Sequence, residues 1–156
     1  MAKFSALTLE CLRNASWTPD RKIDVSQYKV LLQSEGYPVH ESVISFLEKY
    51  GALEVNHKHA KAEDLRKKGL NDDDHFSTDV ADAIASFDKG WPDSYSVRVG
   101  APLCVIGQAF RGYMLLTMDG KGRVFAGYDD CLSRIADSGE DAIEALCTGR
   151  KSTHIP

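Results

Sequence analysis

The spacing of apolar residues changes at Gly51, and this change constrains the fold more than any other feature of the sequence. Before Gly51, apolar side chains recur at intervals of three and four, which is typical of helices with one buried face. The pattern predicts helices at about Phe4–Ala15, Ser26–Ser34 and Glu41–Tyr50. After Gly51, Leu53 and Val55 alternate with polar residues, as they would in a half-buried strand. The N-terminal third is therefore predicted to be helical, and the chain beyond it to build a sheet.

The rest of the chain predicts antiparallel strands followed by a helix. A helix is expected over Asp79–Phe87, with a turn at Gly90–Pro92 after it. Strands are expected at Tyr95–Val99, Leu103–Ile106, Tyr113–Met118 and Arg123–Tyr128. The segment Asp119–Gly122 is typical of a hairpin turn between the last two strands. Ser138 has the character of a helix N-cap, and Gly149 is a typical residue to end that helix.

This order of elements predicts the fold class. We expect an α+β fold in which N-terminal helices pack on a mostly antiparallel sheet and a C-terminal helix closes the structure. No repeat or linker divides the sequence, so a single domain is expected over residues 1–156, with its core at about 4–149. Trp17 and Arg21, where the chain reverses after the first helix, are predicted to brace that helix against the rest of the fold.

The polar stretch Asn56–His75 carries five basic and five acidic side chains and little apolar pattern. It is predicted to be a long surface loop with one turn of helix near Ala60–Lys68. Three histidines, His57, His59 and His75, stand near Asp72–Asp74, and imidazole and carboxylate groups are ligands that zinc or manganese accepts. Mixed charge favours a solvated loop over a metal site, so neither a metal nor a cofactor is predicted.

The sequence lacks the common catalytic motifs. It contains no HExxH pair, no GxSxG elbow and no GxxxxGK[ST] phosphate loop. Cys104 and Cys147 sit among apolar neighbours, which favours packing over a nucleophilic role. Cys131 follows Asp129 and Asp130, whose negative charge disfavours a reactive thiolate. We therefore predict a protein that is not an enzyme and has no catalytic residues.

Cysteine usage and charge bear on compartment and partners. The four cysteines, Cys11, Cys104, Cys131 and Cys147, form no CxxC pair and are predicted to be free thiols. The first residues lack the apolar stretch of a secretory signal, which together with free thiols predicts a cytoplasmic protein. A net charge of −4 without a basic stripe argues against direct nucleic-acid binding. The apolar runs are far shorter than the ~20 residues that span a membrane, so no membrane association is predicted.

Acidic and aromatic residues are the candidates for binding a protein partner. Clustered carboxylates raise the rate of association with a basic partner, and exposed aromatic side chains can anchor an interface. Tryptophan is also commonly half-buried core, so both roles stay open for it. The predicted partner-binding residues are Asp72, Asp73, Asp74, Trp91, Tyr128, Asp129 and Asp130.

Five segments occur in a characteristic order along the chain. They are Trp17–Arg21 after the first helix, Phe46–Val55, Val99–Gly107, Leu115–Val124 and the closing helix around Ala142–Leu146. Their order and spacing, over about residues 7–149, resembles the SUKH superfamily, and within it the bacterial immunity proteins that are paired with polymorphic toxins. Gln108 departs from the pattern, because an acidic residue is expected there. The stretch Asn56–His75 matches no part of the pattern.

The resemblance implies an α+β fold and a function without catalysis. A protein of this kind would bind a cognate toxin domain, often one that targets nucleic acid, and block it in the producing cell. One alternative is a regulatory or scaffolding module of the same superfamily that has no toxin partner. Another is a small hydrolase or metalloprotein that uses His57, His59 and His75.

Overall fold

The structure is a computed structural model that describes residues 4–156. The first three residues of the predicted domain lie outside the described part. The helices are α1 (Ala6–Asn14), α2 (Ser26–Ser34), α3 (Glu41–Tyr50), α4 (Ala62–Lys67), α5 (Val80–Ser86), α6 (Gly90–Val99) and α7 (Gly139–Thr148). The strands are β1 (Glu54–Lys58), β2 (Asp73–Ser77), β3 (Cys104–Ala109), β4 (Met114–Met118), β5 (Val124–Tyr128), β6 (Cys131–Ala136) and β7 (Thr153–His154).

The seven strands described form one antiparallel sheet whose spatial order is the order along the chain. This confirms the predicted α+β class with N-terminal helices and a closing C-terminal helix. The join between β2 and β3 is narrow, since Ser77 and Gln108 are its only paired residues among those described. A Cβ at Gly107 would lie 2.1 Å from the carbonyl oxygen of Ser77, so only glycine lets β2 approach β3 this closely.

The sheet is covered on both faces. A large cluster of buried side chains from α1, α3, α5 and α7 packs on one face, and a smaller cluster of Tyr95, Leu103, Phe125 and Leu132 lies on the other. Strand β5 shows the division, because Val124 and Ala126 join the large cluster while Phe125 joins the small one. Within residues 4–156, no helix has both the length and the apolar character needed to cross a membrane.

Several local predictions are confirmed. Ser138 caps α7 by accepting the N–H of Asp141, and Gly149 ends the same helix in the left-handed conformation. In the β4–β5 turn, the buried carboxylate of Asp119 accepts the N–H groups of Lys121 and Arg123. The cysteines are free thiols, and both Cys104 and Cys147 are buried as expected.

The predicted strand at Tyr95–Val99 is wrong, since this segment is the second half of α6. Its alternating pattern does not mark a buried face, because Val97 is 82% exposed. Pro92 is compatible with the first turn of a helix, and Gly100 ends the helix with a φ of +73°. The predicted turn at Gly90–Pro92 is therefore the start of this helix.

The predicted surface loop at Asn56–His75 is also wrong in part. It includes the second half of β1 and the first half of β2, which pair with His57 opposite Asp74 and Val55 opposite Phe76. Asp73 and Asp74 therefore begin a strand, and Asp74 is buried. The turn of helix expected near Ala60–Lys68 is confirmed as α4.

Candidate partner-binding surface

Four of the predicted partner-binding residues lie together where β5 turns into β6. The ring centroids of Trp91 and Tyr128 are 5.7 Å apart in an edge-to-face arrangement, and the Phe87 ring lies 5.6 Å from that of Trp91. Tyr128 is 50% exposed, while Trp91 is half-buried. Asp129 and Asp130 form the two-residue turn directly after Tyr128, and both are exposed. We call these four residues the aromatic–acidic surface.

Two side chains of helix α6 bind the backbone of this turn. The Tyr95 hydroxyl donates to the main-chain oxygen of Asp129 at 2.7 Å, and Arg98 Nη1 donates to the main-chain oxygen of Asp130 at 2.6 Å. Burial raises the pKa of Tyr95 to about 12, so its hydroxyl keeps the proton that it donates. A Cβ at Gly127 would lie 2.3 Å from the Tyr95 ring, so glycine admits the ring here. The turn is thus held through its backbone, and its carboxylates stay at the surface.

The other acidic group, Asp72–Asp74, is largely neutralised within the fold. Lys58 Nζ lies 3.3 Å from an Asp72 carboxylate oxygen and 2.8 Å from one of Asp73, and Arg66 Nε lies 3.3 Å from Asp72. The hydrogen bond and charge of Lys58 lower the pKa of Asp73, and the bonds to Asp73 and Asp72 raise the pKa of Lys58. Asp73 remains exposed, and the Asp72 side chain is mostly covered. This group is an ion-pair cluster more than a negative patch.

The three histidines weighed as metal ligands do not converge. His57 pairs with Asp74, and the next residue pair is Asn56 with His75. Because neighbouring residues of a strand face opposite sides, His57 and His75 lie on opposite faces of the hairpin. Over residues 4–156, no three His, Cys, Asp or Glu side chains are placed to hold a metal ion.

Both groups of predicted residues lie at one end of the sheet. In this antiparallel order, β5 ends and β6 begins at the same end at which β2 begins. Three strand spacings of about 4.8 Å separate β2 from β5, and the register places Asp73 further along the strands than Tyr128, so the two residues lie more than about 14 Å apart. Tyr113 lies between them, directly before β4, and is 67% exposed. One partner of ordinary interface size could cover this whole end.

A strained turn fastens the middle of this sheet end. Phe110 and Arg111, in the β3–β4 turn, have φ of +55° and +59°, which is uncommon for residues other than glycine. The Arg111 N–H donates to the main-chain oxygen of His75, and its guanidinium donates to the main-chain oxygens of Asp73 and Asn71. The turn therefore secures the start of β2. Tyr113 begins a strand that the sequence predicts, but neither Arg111 nor Tyr113 was selected as a partner-binding residue, because no motif or run of charge marks them.

Gln108, which departs from the family pattern, has a definite structural role. It is buried in β3, and its side-chain amide donates to Asp82 Oδ2 of α5 at 2.7 Å. A carboxylate at this position would face another carboxylate. Glutamine thus ties α5 to the sheet where an acidic residue would repel it.

Comparisons with known proteins give one match. The model of the family described as SUKH-3 immunity protein matches residues 4–149, which is most of the chain. This confirms the resemblance drawn from the order of the motifs. Comparison with curated proteins gives no significant match. Comparison with solved structures gives none either.

Proposed function

The chain belongs to the SUKH-3 immunity protein family, and we propose that it binds one cognate toxin domain and neutralises it without catalysis. The family match over residues 4–149 is the observation that carries this proposal. We further propose that the toxin acts on nucleic acid and that the complex forms in the cytoplasm of the producing cell. The toxin would be the direct partner, with no contact between this protein and nucleic acid or membrane.

The aromatic–acidic surface is the proposed centre of the toxin interface. A domain that acts on nucleic acid presents basic groups, and carboxylates of an inhibitor can occupy them. The carboxylates of Asp129 and Asp130 form no ion pair within residues 4–156. They can therefore bind a basic group of the toxin without first breaking an ion pair within this protein. Trp91 and Tyr128 provide apolar contact area beside the two charges, a combination found in strongly contributing interface residues.

Asp72 and Asp73 are proposed as secondary contacts. Both already pair with Lys58, so a basic group of the toxin gains less from them than from Asp129 and Asp130. Asp73 is the more accessible of the two, and it lies at the same end of the sheet as Tyr128. The buried Asp74 cannot contact a flat partner surface and would act only on a group that enters the fold.

Gene neighbourhood and co-expression test the proposed function. A toxin gene is expected beside this one, and co-expression of the full chain should protect cells that express the toxin domain. The purified proteins should form a stoichiometric complex that stops toxin activity. If no toxin gene lies nearby and no toxin domain is neutralised, the regulatory or scaffolding alternative is favoured. Zinc or manganese retained in purified protein, and lost on changing His57 and His59 to alanine, would favour the metalloprotein.

A further inference from the structure

Strand β1 is an edge of the sheet, since within residues 4–156 it pairs with β2 alone. Beside its start, the main-chain oxygen of Leu53 accepts the Thr78 N–H. Beyond its end, the His59 N–H donates to the main-chain oxygen of Asp72. The odd-numbered residues therefore carry the bonds to β2, because the main-chain groups of neighbouring residues in an antiparallel strand point to opposite sides. The main-chain groups that point away from β2, which we call the β1 edge, are those of Glu54, Asn56 and Lys58.

The β1 edge is exposed along its whole length. All three of its side chains are exposed, whereas Val55 is buried on the other face, in the large cluster with side chains of α1 and α7. Within residues 4–156, one hydrogen bond reaches the outward main-chain groups, from the His57 ring, whose Nδ1 lies 2.9 Å from the Lys58 carbonyl oxygen. That oxygen keeps a second lone pair. A row of free N–H and C=O groups on an extended strand is a template for a further strand.

The side chains along the β1 edge are complementary to themselves in the reverse direction. Glu54, Asn56 and Lys58 place an acid, an amide and a base at alternate positions of the strand. When two copies run antiparallel about a two-fold axis at Asn56, each Glu54 stands opposite Lys58 of the other copy. An axis perpendicular to the sheet keeps all these side chains on one face. Each of the three opposed pairs would exchange two main-chain hydrogen bonds.

Lys58 can accept a further carboxylate although it already forms ion pairs within the fold. Ion pairs and nearby charge link three cations with two carboxylates in its cluster: Lys58, Arg66, Arg111, Asp72 and Asp73. One positive charge of this cluster is therefore unbalanced. Glu54 forms no ion pair within residues 4–156, and its Oε1 accepts the Ser77 hydroxyl at 2.8 Å. Glu54 of a second copy would supply the missing negative charge.

We propose that two copies of this chain pair through the β1 edge and form a two-fold symmetric dimer with one continuous sheet. The inference goes beyond the proposed function, because it concerns this chain alone. The aromatic–acidic surface belongs to other elements, so neither copy uses it for the pairing. Two five-residue strands bury less surface than a standard interface, so the dimer should be reversible, with a Kd on the order of 100 μM.

Sedimentation velocity of the full chain, from about 10 μM to about 1 mM, should show a reversible shift from monomer to dimer. Asn56→Pro removes the central outward N–H but no bond to β2, and it should raise the Kd at least tenfold. His154→Pro is the matched control and should leave the Kd unchanged. It changes an outward-facing residue of β7, at the other edge, since the next residue, Ile155, donates its N–H to Leu132. A monomer at every concentration, or a Kd raised only by His154→Pro, would overturn the proposal.

Charge exchange across the axis provides a second test if Asn56→Pro fails to fold. Glu54→Lys sets two lysines opposite each other in both pairs, and it should raise the Kd at least tenfold. Lys58→Glu sets glutamates opposite each other with the same result. An equimolar mixture of the two variants should form a mixed dimer more tightly than either forms alone, since every lysine then faces a glutamate. A Glu54→Lys variant that dimerises like the wild type would contradict the pairing.

Crosslinking tests the register of the two strands. The Cα atoms of the two Asn56 residues would lie about 5.5 Å apart, a distance that a disulfide spans. In a Cys131→Ser background, which removes the exposed thiol, Asn56→Cys should crosslink in oxidised glutathione. Glu54→Cys should not, because its two copies would be four residues out of register, more than about 13 Å apart. The reverse result would overturn the axis at Asn56.

Hydrogen exchange distinguishes a second copy from another occupant of the β1 edge. Without toxin, the amides of Asn56 and Lys58 should exchange more slowly at about 1 mM protein than at about 10 μM. Protection that appears only when a toxin domain is bound would assign the edge to a strand of the toxin and overturn the dimer. The other measurements use this chain alone, so their failure would leave toxin neutralisation, which is measured separately, unaffected.

Discussion

The side chains of Trp17 and Arg21 donate to one acceptor, the main-chain carbonyl oxygen of Lys49, at 3.2 and 3.0 Å. Lys49 lies in the last turn of α3, where helix carbonyls have no partner within the helix. The buried Trp17 ring also stacks on Tyr50, with centroids 5.8 Å apart. The predicted bracing role of both residues is therefore confirmed. The chain reversal after α1 is fixed to the end of α3.

Replacing Trp17 by alanine should lower the free energy of unfolding by about 3–5 kcal/mol, as other truncations of large buried aromatic residues do. Trp17→Phe should cost less, because the ring contact with Tyr50 is partly kept while the bond to Lys49 is lost. Chemical denaturation at neutral pH measures both changes. An unchanged midpoint for Trp17→Ala would mean that the ring is exposed in solution.

The four thiols should differ in reactivity according to burial. Burial raises the pKa of Cys104 to about 12 and also raises the pKa of Cys11 and Cys147, so these thiols carry little thiolate at neutral pH. Cys131 is exposed and should react first. Timed alkylation with mass spectrometry should show one fast site and three slow ones in the native protein. Fast labelling of Cys104 would contradict its place inside β3.

Gln108→Glu should destabilise the protein by about 1–3 kcal/mol, because it places a second carboxylate beside Asp82 where an amide donor now stands. Adding Asp82→Asn should restore much of the loss, since the new amide can donate to the glutamate. Denaturation of the wild type, both single variants and the double variant gives the coupling between the two positions. Additive losses would show that the two side chains do not interact.

The helices other than α6 and the strands β3–β5 could be predicted because their apolar spacing and caps agree with their burial, whereas no strand was predicted at β6. The β1–β2 hairpin could not be predicted, since its buried face holds the polar pair His57 and Asp74 next to the apolar pair Val55 and Phe76. That pair interrupts the alternation by which strands are recognised. In α6 the opposite error arose, since a strand was predicted where a helix stands. Tyr95 and Val97 alternate with polar residues as in a strand, although Val97 is exposed.

The candidate surface was predictable only as a set of residues. The sequence marks four of its residues because they lie at or beside predicted turns, where side chains tend to be exposed: Trp91, Tyr128, Asp129 and Asp130. That α6 and β5 bring them into contact depends on the fold. The neutralisation of Asp72 and Asp73 by Lys58 likewise needs the register of β1 on β2. The order of charged residues along a sequence does not show which basic side chain will pair with a given carboxylate in the fold.

Acid should weaken the contact between the two ends of the chain. The Glu144 carboxylate accepts the N–H and the hydroxyl of Ser5 at 2.7 and 2.9 Å. Burial alone would raise the pKa of Glu144, but these hydrogen bonds outweigh it, and the pKa lies below its ordinary value of 4.5. Stability from this contact is therefore complete above that value and is lost as pH falls through the lower folded pKa.

Glu144→Gln should remove this part of the pH dependence. The loss at neutral pH should be less than about 1 kcal/mol, because the contact is exposed to solvent. Unfolding free energies of the wild type and the variant, measured from pH 7 to pH 3, should converge at the acid end. A constant difference over that range would show that Glu144 does not titrate through this contact.

Binding of the toxin should depend on salt and on the charges of the aromatic–acidic surface. The Debye length falls from about 10 Å at 0.1 M salt to about 3 Å at 1 M, so association between exposed charges should slow by about tenfold or more. Asp129→Asn with Asp130→Asn should reduce the association rate and its salt dependence. Asp72→Asn with Asp73→Asn should have a smaller effect, because Lys58 already balances those charges.

The aromatic residues should act on dissociation instead. Tyr128→Ala removes an exposed ring that rests on Trp91, so the complex should dissociate faster while its salt dependence stays the same. Asp137→Asn is the matched control, since this exposed carboxylate follows β6 at the opposite end of the sheet. Surface plasmon resonance at several salt concentrations separates the two rates. If the Asp129, Asp130 and Tyr128 variants bind as Asp137→Asn does, the toxin docks elsewhere, because losing both charge and ring at a true contact must change at least one rate.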